Sequence, residues 1–362
     1  MKYLDEFRDA DLAARLARAI RSLTAGRRLR LMEVCGTHTV AIFRSGLREL
    51  LADSVDLLSG PGCPVCVTAQ RDVDFAIGLA SLPDVVLATF GDMVKVPGTR
   101  ASLQQARAAG ADVRVVYSAV DALRLAAEQP RRKVVFLGVG FETTAPTVAA
   151  SLLEARRRGL DNYFVYSVHK LVPPALRALL DSGEVQLDGL ILPGHVSTVI
   201  GLEPYRFLAE EYGLPGGIAG FEPLDILETV VRLAEMARGG EPSVAIQYRR
   251  AVRPEGNPVA LRAMREVFAE ADAEWRGLGR IPASGLRLRE EFAPFDAERA
   301  FSVDVSFSRE PTGCACGAVL RGAATPRQCA RFARACTPEH PLGPCMVSSE
   351  GTCAAYYAYG RD

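Results

Sequence analysis

The sequence has no excess of either charge: Lys+Arg and Asp+Glu are each 43. Nucleic acid and anionic membranes select a basic face, so neither is expected as a partner. The short runs Arg131-Arg132-Lys133 and Arg156-Arg157-Arg158 read as a strand entry and a helix end. There is no uncharged apolar stretch of about 18 residues, which leaves no candidate membrane span. Met1–Ile20 carries Asp and Arg throughout; it reads as an amphipathic helix and lacks the apolar region of a signal peptide. A cytoplasmic location is expected. Two nucleotide motifs are also missing. No G-x-x-x-x-G-K-[ST] phosphate loop occurs, and Gly138-Val139-Gly140 lacks the third glycine of a dinucleotide fingerprint.

What is present is cysteine. Nine of them, an odd number, argue against a purely structural disulfide framework. In a cytoplasmic chain, clustered cysteines point to metal or redox chemistry. With 362 residues, 49% of them hydrophobic, there is material for two or three domains.

A rhythm runs through the first 240 residues. Short β-branched runs alternate with segments rich in Ala, Leu, Arg and Glu, such as Ser102–Gly110 and Pro146–Gly159. The runs form two sets: Arg28–Val34, Val55–Leu58, Val85–Thr89 and Val113–Tyr117, then Lys133–Val139, Tyr163–Ser167, Gly189–Leu192 and Gly217–Ala219. Strand–helix alternation predicts parallel sheets covered by helices. The expected fold is α/β: two similar parallel-sheet domains, residues 1–125 and 126–240, with a break near Ala119–Pro130. A third, mostly helical and loop-rich domain is expected over 241–362. There, Asn257-Pro258 reads as an N-cap with proline at the first helical position, opening a helix through about Ala271.

The unusual residues follow the predicted strands. They are Cys35-Gly36-Thr37-His38-Thr39, Gly60-Pro61-Gly62-Cys63-Pro64-Val65-Cys66, Gly91-Asp92, Gly140-Phe141-Glu142-Thr143-Thr144, His169 and Pro193-Gly194-His195-Val196-Ser197. The carboxyl ends of parallel strands are where open α/β sheets build their sites, so these loops are expected to converge on a cleft. Cys63-x-x-Cys66 enters a predicted helix near Thr68–Leu79. A cysteine at a helix N-terminus is biased toward thiolate, which is both nucleophile and soft metal ligand. A thioredoxin-like dithiol and a pair of buried small residues are the competing readings. Cys35 and His38 form a metal site or a thiol with its base. His195 and His169 contact a ligand or satisfy loop backbone. Glu142 is a general acid/base or a helix cap.

The tail is the most specific feature, with six cysteines: Cys314, Cys316, Cys329, Cys336, Cys345 and Cys353. Six exceed the four of a zinc site, four suffice for a cubane iron–sulfur cluster, and two remain as a redox pair. A structural zinc site is the plainer alternative. The segment has too few large apolar residues to fold by packing alone, so a metal staple fits.

In order and over nearly the whole chain, Cys35–Thr39, Gly60–Cys66, Gly140–Thr144, Pro193–Ser197 and Cys336–Cys353 closely resemble the HypD family of nickel–iron hydrogenase maturation proteins. The resemblance implies two Rossmann-like domains and a third carrying a four-iron four-sulfur cluster. It implies a HypC-like chaperone with which iron is held while cyanide and carbon monoxide ligands are installed, HypE as cyanide donor, and delivery to the hydrogenase large subunit. Carried over, Cys35 is the iron-holding thiolate supported by His38, and Cys63 and Cys66 are a nearby dithiol. Cys316, Cys329, Cys336 and Cys353 are assigned to the cluster, with Cys314 and Cys345 as the redox pair. An iron to be passed on cannot sit in a closed four-ligand cage; one protein thiolate leaves positions open. The reading from another class is a stand-alone, cluster-dependent thiol–disulfide oxidoreductase.

Overall fold

The computed structural model describes residues 5–24 and 26–360. Of the opening helix expected over Met1–Ile20, residues 1–4 lie outside this range; the helix itself is Ala10–Thr24. Eleven strands are described: β1 (Leu29–Glu33), β2 (Val55–Ser59), β3 (Val85–Thr89), β4 (Asp112–Val115), β5 (Lys133–Gly138), β6 (Tyr163–Ser167), β7 (Gly189–Pro193), β8 (Gly216–Ala219), β9 (Val244–Ile246), β10 (Phe268–Trp275) and β11 (Gly279–Leu288). The eight strands expected from the sequence are all present, with ends shifted by at most two residues.

Two parallel sheets carry the fold. One has strand order β2-β1-β7-β8-β9 and the other β4-β3-β5-β6. The strands therefore do not sort into two consecutive sets with a break near residues 119–130. The chain lays down β1 and β2, builds the whole second sheet, and returns to place β7 beside β1, pairing Leu31 with Gly189. Continuous apolar strands such as β3, buried at every position, carry no information about which neighbour they will take.

Helices cover both sheets. Ala10–Thr24 packs with Pro223–Ala237 over the first sheet, burying Ala17, Ile20, Leu31, Leu57, Leu227 and Val230. The second sheet centres a larger core that extends, without a break, into the C-terminal third through Phe268, Trp275, Leu286, Cys316, Leu320 and Cys345.

The C-terminal third is less helical than expected. Asn257 does cap the helix Pro258–Val267, its Oδ1 accepting from the N–H groups of Val259 and Ala260, each at 3.1 Å. That helix stops at Val267, four residues short of the expected Ala271. Phe268–Trp275 is instead a strand with its ends buried, pairing antiparallel with β11. Its Ala and Glu residues favour helix locally, but the period-two pattern suits a ribbon docked on one face, and tertiary packing decides. Among the described residues, no helix is long and apolar enough to cross a membrane.

Candidate functional site

All the motif loops begin where strands end: Cys35 after β1, Gly60 after β2, Gly91 after β3, Gly140 after β5, His169 after β6 and Gly194 after β7. The strand order now matters. β2, β1, β7 and β8 are neighbours. Their carboxyl ends bring Cys35, the Gly60–Cys66 loop, His195 and Phe221 to one edge, although these residues span most of the first 221 positions.

Cys35 is the N-cap of the helix Gly36–Arg44. Its neighbour is fixed by backbone contacts: the N–H of Gly36 donates to the carbonyl of Gly62 at 3.0 Å, and Gly60 donates to Glu33 at 2.8 Å. Gly62 is required here, because a Cβ on it would lie 2.2 Å from the Cys35 nitrogen. On the other side, a Cβ on Gly36 would lie 2.4 Å from the Glu350 carbonyl oxygen. Glu350 is anchored by Thr37, whose hydroxyl donates to its carboxylate at 2.7 Å.

Glu33 is the buried acid beneath this thiol. Its Oε2 accepts from the Cys35 N–H at 3.0 Å, and Oε1 accepts from the Thr39 hydroxyl. Burial lifts its carboxyl to about 7. Cys35 itself is only 7% exposed. Burial, then the charges of Glu350 and Glu33, push its thiol up to about 12, against the opposing pull of helix N–H groups. Such surroundings penalise a bare thiolate and favour the same sulfur bound to a cation.

His38 is wholly buried, and its Nε2 lies 2.9 Å from the Gly220 carbonyl, which makes Nε2 the protonated nitrogen. Nδ1 then keeps a lone pair with no partner. Burial holds the ring neutral, with its value lowered to about 4. Phe221 stacks on His38 at 4.7 Å and on His195 at 3.9 Å. His195 is thus tied to the Cys35 site through a shared aromatic neighbour. A cavity of about 370 Å³ opens beside this helix, lined by Thr37, Ala41, Arg44 and Phe221.

Cys63 and Cys66 point the other half of their loop toward the tail. Cys63 caps the short helix Pro64–Val67, and the two sulfurs are 2.6 Å apart. Burial pushes the Cys66 thiol well above its ordinary range, and it interacts with Cys345 and Cys316. Cys316 and Cys345 are themselves 2.9 Å apart. Four buried thiols therefore run in series from the loop into the tail. The sulfur beside Cys345 is that of Cys316, where the sequence expectation paired Cys314 with Cys345.

Beyond this series lies a small cavity of about 20 Å³ lined by Cys314, Cys316, Cys329, Cys336 and Cys353, with Phe332 and Leu342. Cys345 is not part of its wall. The sulfur of Cys336 accepts from the Leu342 N–H at 3.4 Å. An apolar pocket walled by thiols and backbone N–H groups has the donor chemistry of an iron–sulfur cluster, so these residues fit that group. Among the described residues, no three His, Cys, Asp or Glu side chains are gathered on a single-ion site.

Glu142 and His169 belong to the second sheet. Glu142 Oε1 accepts from the Val172 N–H at 2.9 Å, which caps the next helix; Oε2 is buried without a partner, and burial raises the carboxyl to about 7. Tyr205, fully buried, lies where it feels both Glu142 and Cys35. His169 serves the hairpin: its carbonyl accepts from Leu286 at 3.2 Å. Asp92 accepts from Ser348 at 3.0 Å, tying the third strand to the tail.

Sequence reasoning passed over Glu33, Phe221, Glu350, Tyr205 and Arg276. Glu33 did leave a trace, as a carboxylate closing the strand after Leu31 and Met32, two residues before Cys35.

Fold and site together define an α/β protein with thiols on its strand-end loops and a cysteine-rich tail folded against them. The model of the HypD family, described as a hydrogenase formation family, matches residues 11–360, and the chain belongs to that family. It is 49% identical over 372 residues to the hydrogenase maturation factor HypD of Rhodobacter capsulatus, covering 99% of this chain and 98% of that protein. It is 50% identical over 370 residues to the hydrogenase expression/formation protein HupD of Azotobacter chroococcum mcd 1, covering 100% and 98%. Identity to HypD of Escherichia coli K12 is 45% over 369 residues, covering 100% and 99%.

Proposed function

We propose that this protein acts in the cytoplasm in hydrogenase maturation, as the scaffold on which the iron unit of a nickel–iron hydrogenase receives its cyanide and carbon monoxide ligands. The supporting relatives are maturation factors, which disfavours the stand-alone thiol–disulfide oxidoreductase. The observation that carries the reading is Cys35: a single thiol at a helix N-terminus, between two carboxylates and a neutral imidazole. The carboxylates draw a cation to the sulfur, and the thiol gives up its proton on binding. One protein sulfur leaves the iron's other positions for the small ligands, for a thiolate from a HypC-like chaperone, and for release to the large subunit. HypE is the cyanide donor.

The tail holds a four-iron four-sulfur cluster through Cys314, Cys329, Cys336 and Cys353. This assignment exchanges Cys314 and Cys316 relative to the sequence expectation, because Cys316 lies 2.9 Å from Cys345. A cluster there supplies single electrons. Cys316 with Cys345, and Cys63 with Cys66, are dithiols; oxidation of each to a disulfide releases two electrons and two protons.

The test is infrared spectroscopy of the complex purified anaerobically with its maturation partners. Bound cyanide and carbon monoxide bands are expected, and Cys35→Ala abolishes both the bands and hydrogenase maturation while the tail keeps its iron. Full maturation in that variant overturns the proposal.

A further inference from the structure

Arg276 is 2% exposed, an unusual place for a guanidinium. Its backbone N–H donates to Val67 and its Nε to the Thr68 carbonyl, both at 2.9 Å. Nη2 is buried without a partner. Among the described residues no carboxylate lies within ion-pair distance of it. The Thr68 carbonyl satisfies one guanidinium N–H but leaves the charge uncompensated, and a buried unpaired charge is strongly disfavoured.

The arginine cannot swing out to water. Trp275 beside it is locked by Nε1 donating to Ser284 at 2.8 Å. Gly277 on the other side, at φ +78°, packs so closely on Gly317 that a Cβ would lie 2.3 Å from the Gly317 Cα. Arg321 also donates to the Gly277 carbonyl. Arg276 is therefore wedged between the turn after Cys66 and the backbone at Gly317, the residue that follows Cys316.

We propose that Arg276 is the built-in counter-charge of the cysteine-held cluster, a positioning residue that raises its reduction potential. The inference rests on the cluster reading above. Four thiolates make the cluster site anionic, and one-electron reduction makes it more so; a fixed cation stabilises the reduced form more than the oxidised one. In the apoprotein the same cation is uncompensated, so cluster loss is made costlier.

The experiment compares wild type, Arg276→Lys and Arg276→Met, purified anaerobically with iron and sulfide determined. Each is titrated with dithionite to its midpoint potential, and holo and apo forms are melted. The methionine variant is expected at a more negative potential, with a smaller holo-minus-apo difference in Tm, and the lysine variant close to wild type. If the methionine variant does not accumulate, Arg276→Gln takes its place. An unchanged potential in the uncharged variant, or an equal shift in the lysine variant, overturns the proposal. Absence of iron and sulfide from wild type overturns the cluster reading instead.

Discussion

Replacing Glu33 by glutamine isolates the charge beneath Cys35 while keeping the shape of the side chain. In the folded protein the Glu33 carboxyl titrates near 7, against an ordinary 4.5. Its folded value is raised, so folding favours the protonated form. Below about pH 4.5 both states are protonated and ionisation contributes nothing against folding. Between 4.5 and 7 the unfolded chain loses this proton and the folded chain keeps it, so stability falls by about 1.4 kcal/mol per pH unit. Above about pH 7 the cost levels off at about 3 kcal/mol, the size of the whole shift. Glu33→Gln removes this slope. Urea unfolding at pH 5 and pH 8, under reducing conditions, is the assay. The variant is expected to gain about 2 to 3 kcal/mol on wild type between the two pH values. Glu142, also raised to about 7 by burial, is common to both proteins and cancels. Parallel pH profiles for the two proteins would show that Glu33 is ionised in the fold at no cost, and would refute the argument for a cation-seeking site.

Gly62→Ala drives a methyl group against the Cys35 backbone; a loss of about 1 to 3 kcal/mol is expected in thermal melting, with faster alkylation of Cys35. Cys353→Ser is expected to lower tail-bound iron sharply, whereas Cys345→Ser, outside the cavity wall, leaves most of it; iron analysis of the two variants checks this. Burial lowers His38 to about 4 and His169 to about 3. Their folded values lie below the ordinary 6.5, so the stability they contribute is present above pH 6.5 and drains away as pH falls toward 4 and 3. His169→Gln is expected to flatten that acid limb, as followed by the urea midpoint between pH 7 and 4.

The strands were legible in the sequence because apolar β-branched runs bounded by glycine leave little alternative, and so was the placing of motif loops at strand ends. The grouping of strands was not. β1 and β2 could accept any buried partner, and nothing local to Val85 or Gly189 states which sheet it joins. The helix opened by Asn257-Pro258 is expected to run through about Ala271 because Ala and Glu are helix formers; only the docking of Phe268 and Trp275 reveals that a strand begins at Phe268. Cys35, His38 and the Cys63-x-x-Cys66 turn were visible from chemistry at a fixed spacing. The approach of Cys316 to Cys345 depends on how the short helices Cys316–Leu320 and Pro344–Val347 come together, which spacing does not encode. Arg276 carried no signal at all, since burial of an arginine is a property of what surrounds it.

The interrupted first sheet also sets an order of assembly. Residues 85–167 can close their four strands using only near neighbours in the chain. The edge of β1 that will receive β7 must wait until residue 189 and beyond have been synthesised. Such distant pairing pays its loop-closure entropy late and is slow. The strand that carries Cys35 at its end thus gains its second neighbour only after the whole of the other sheet has been made.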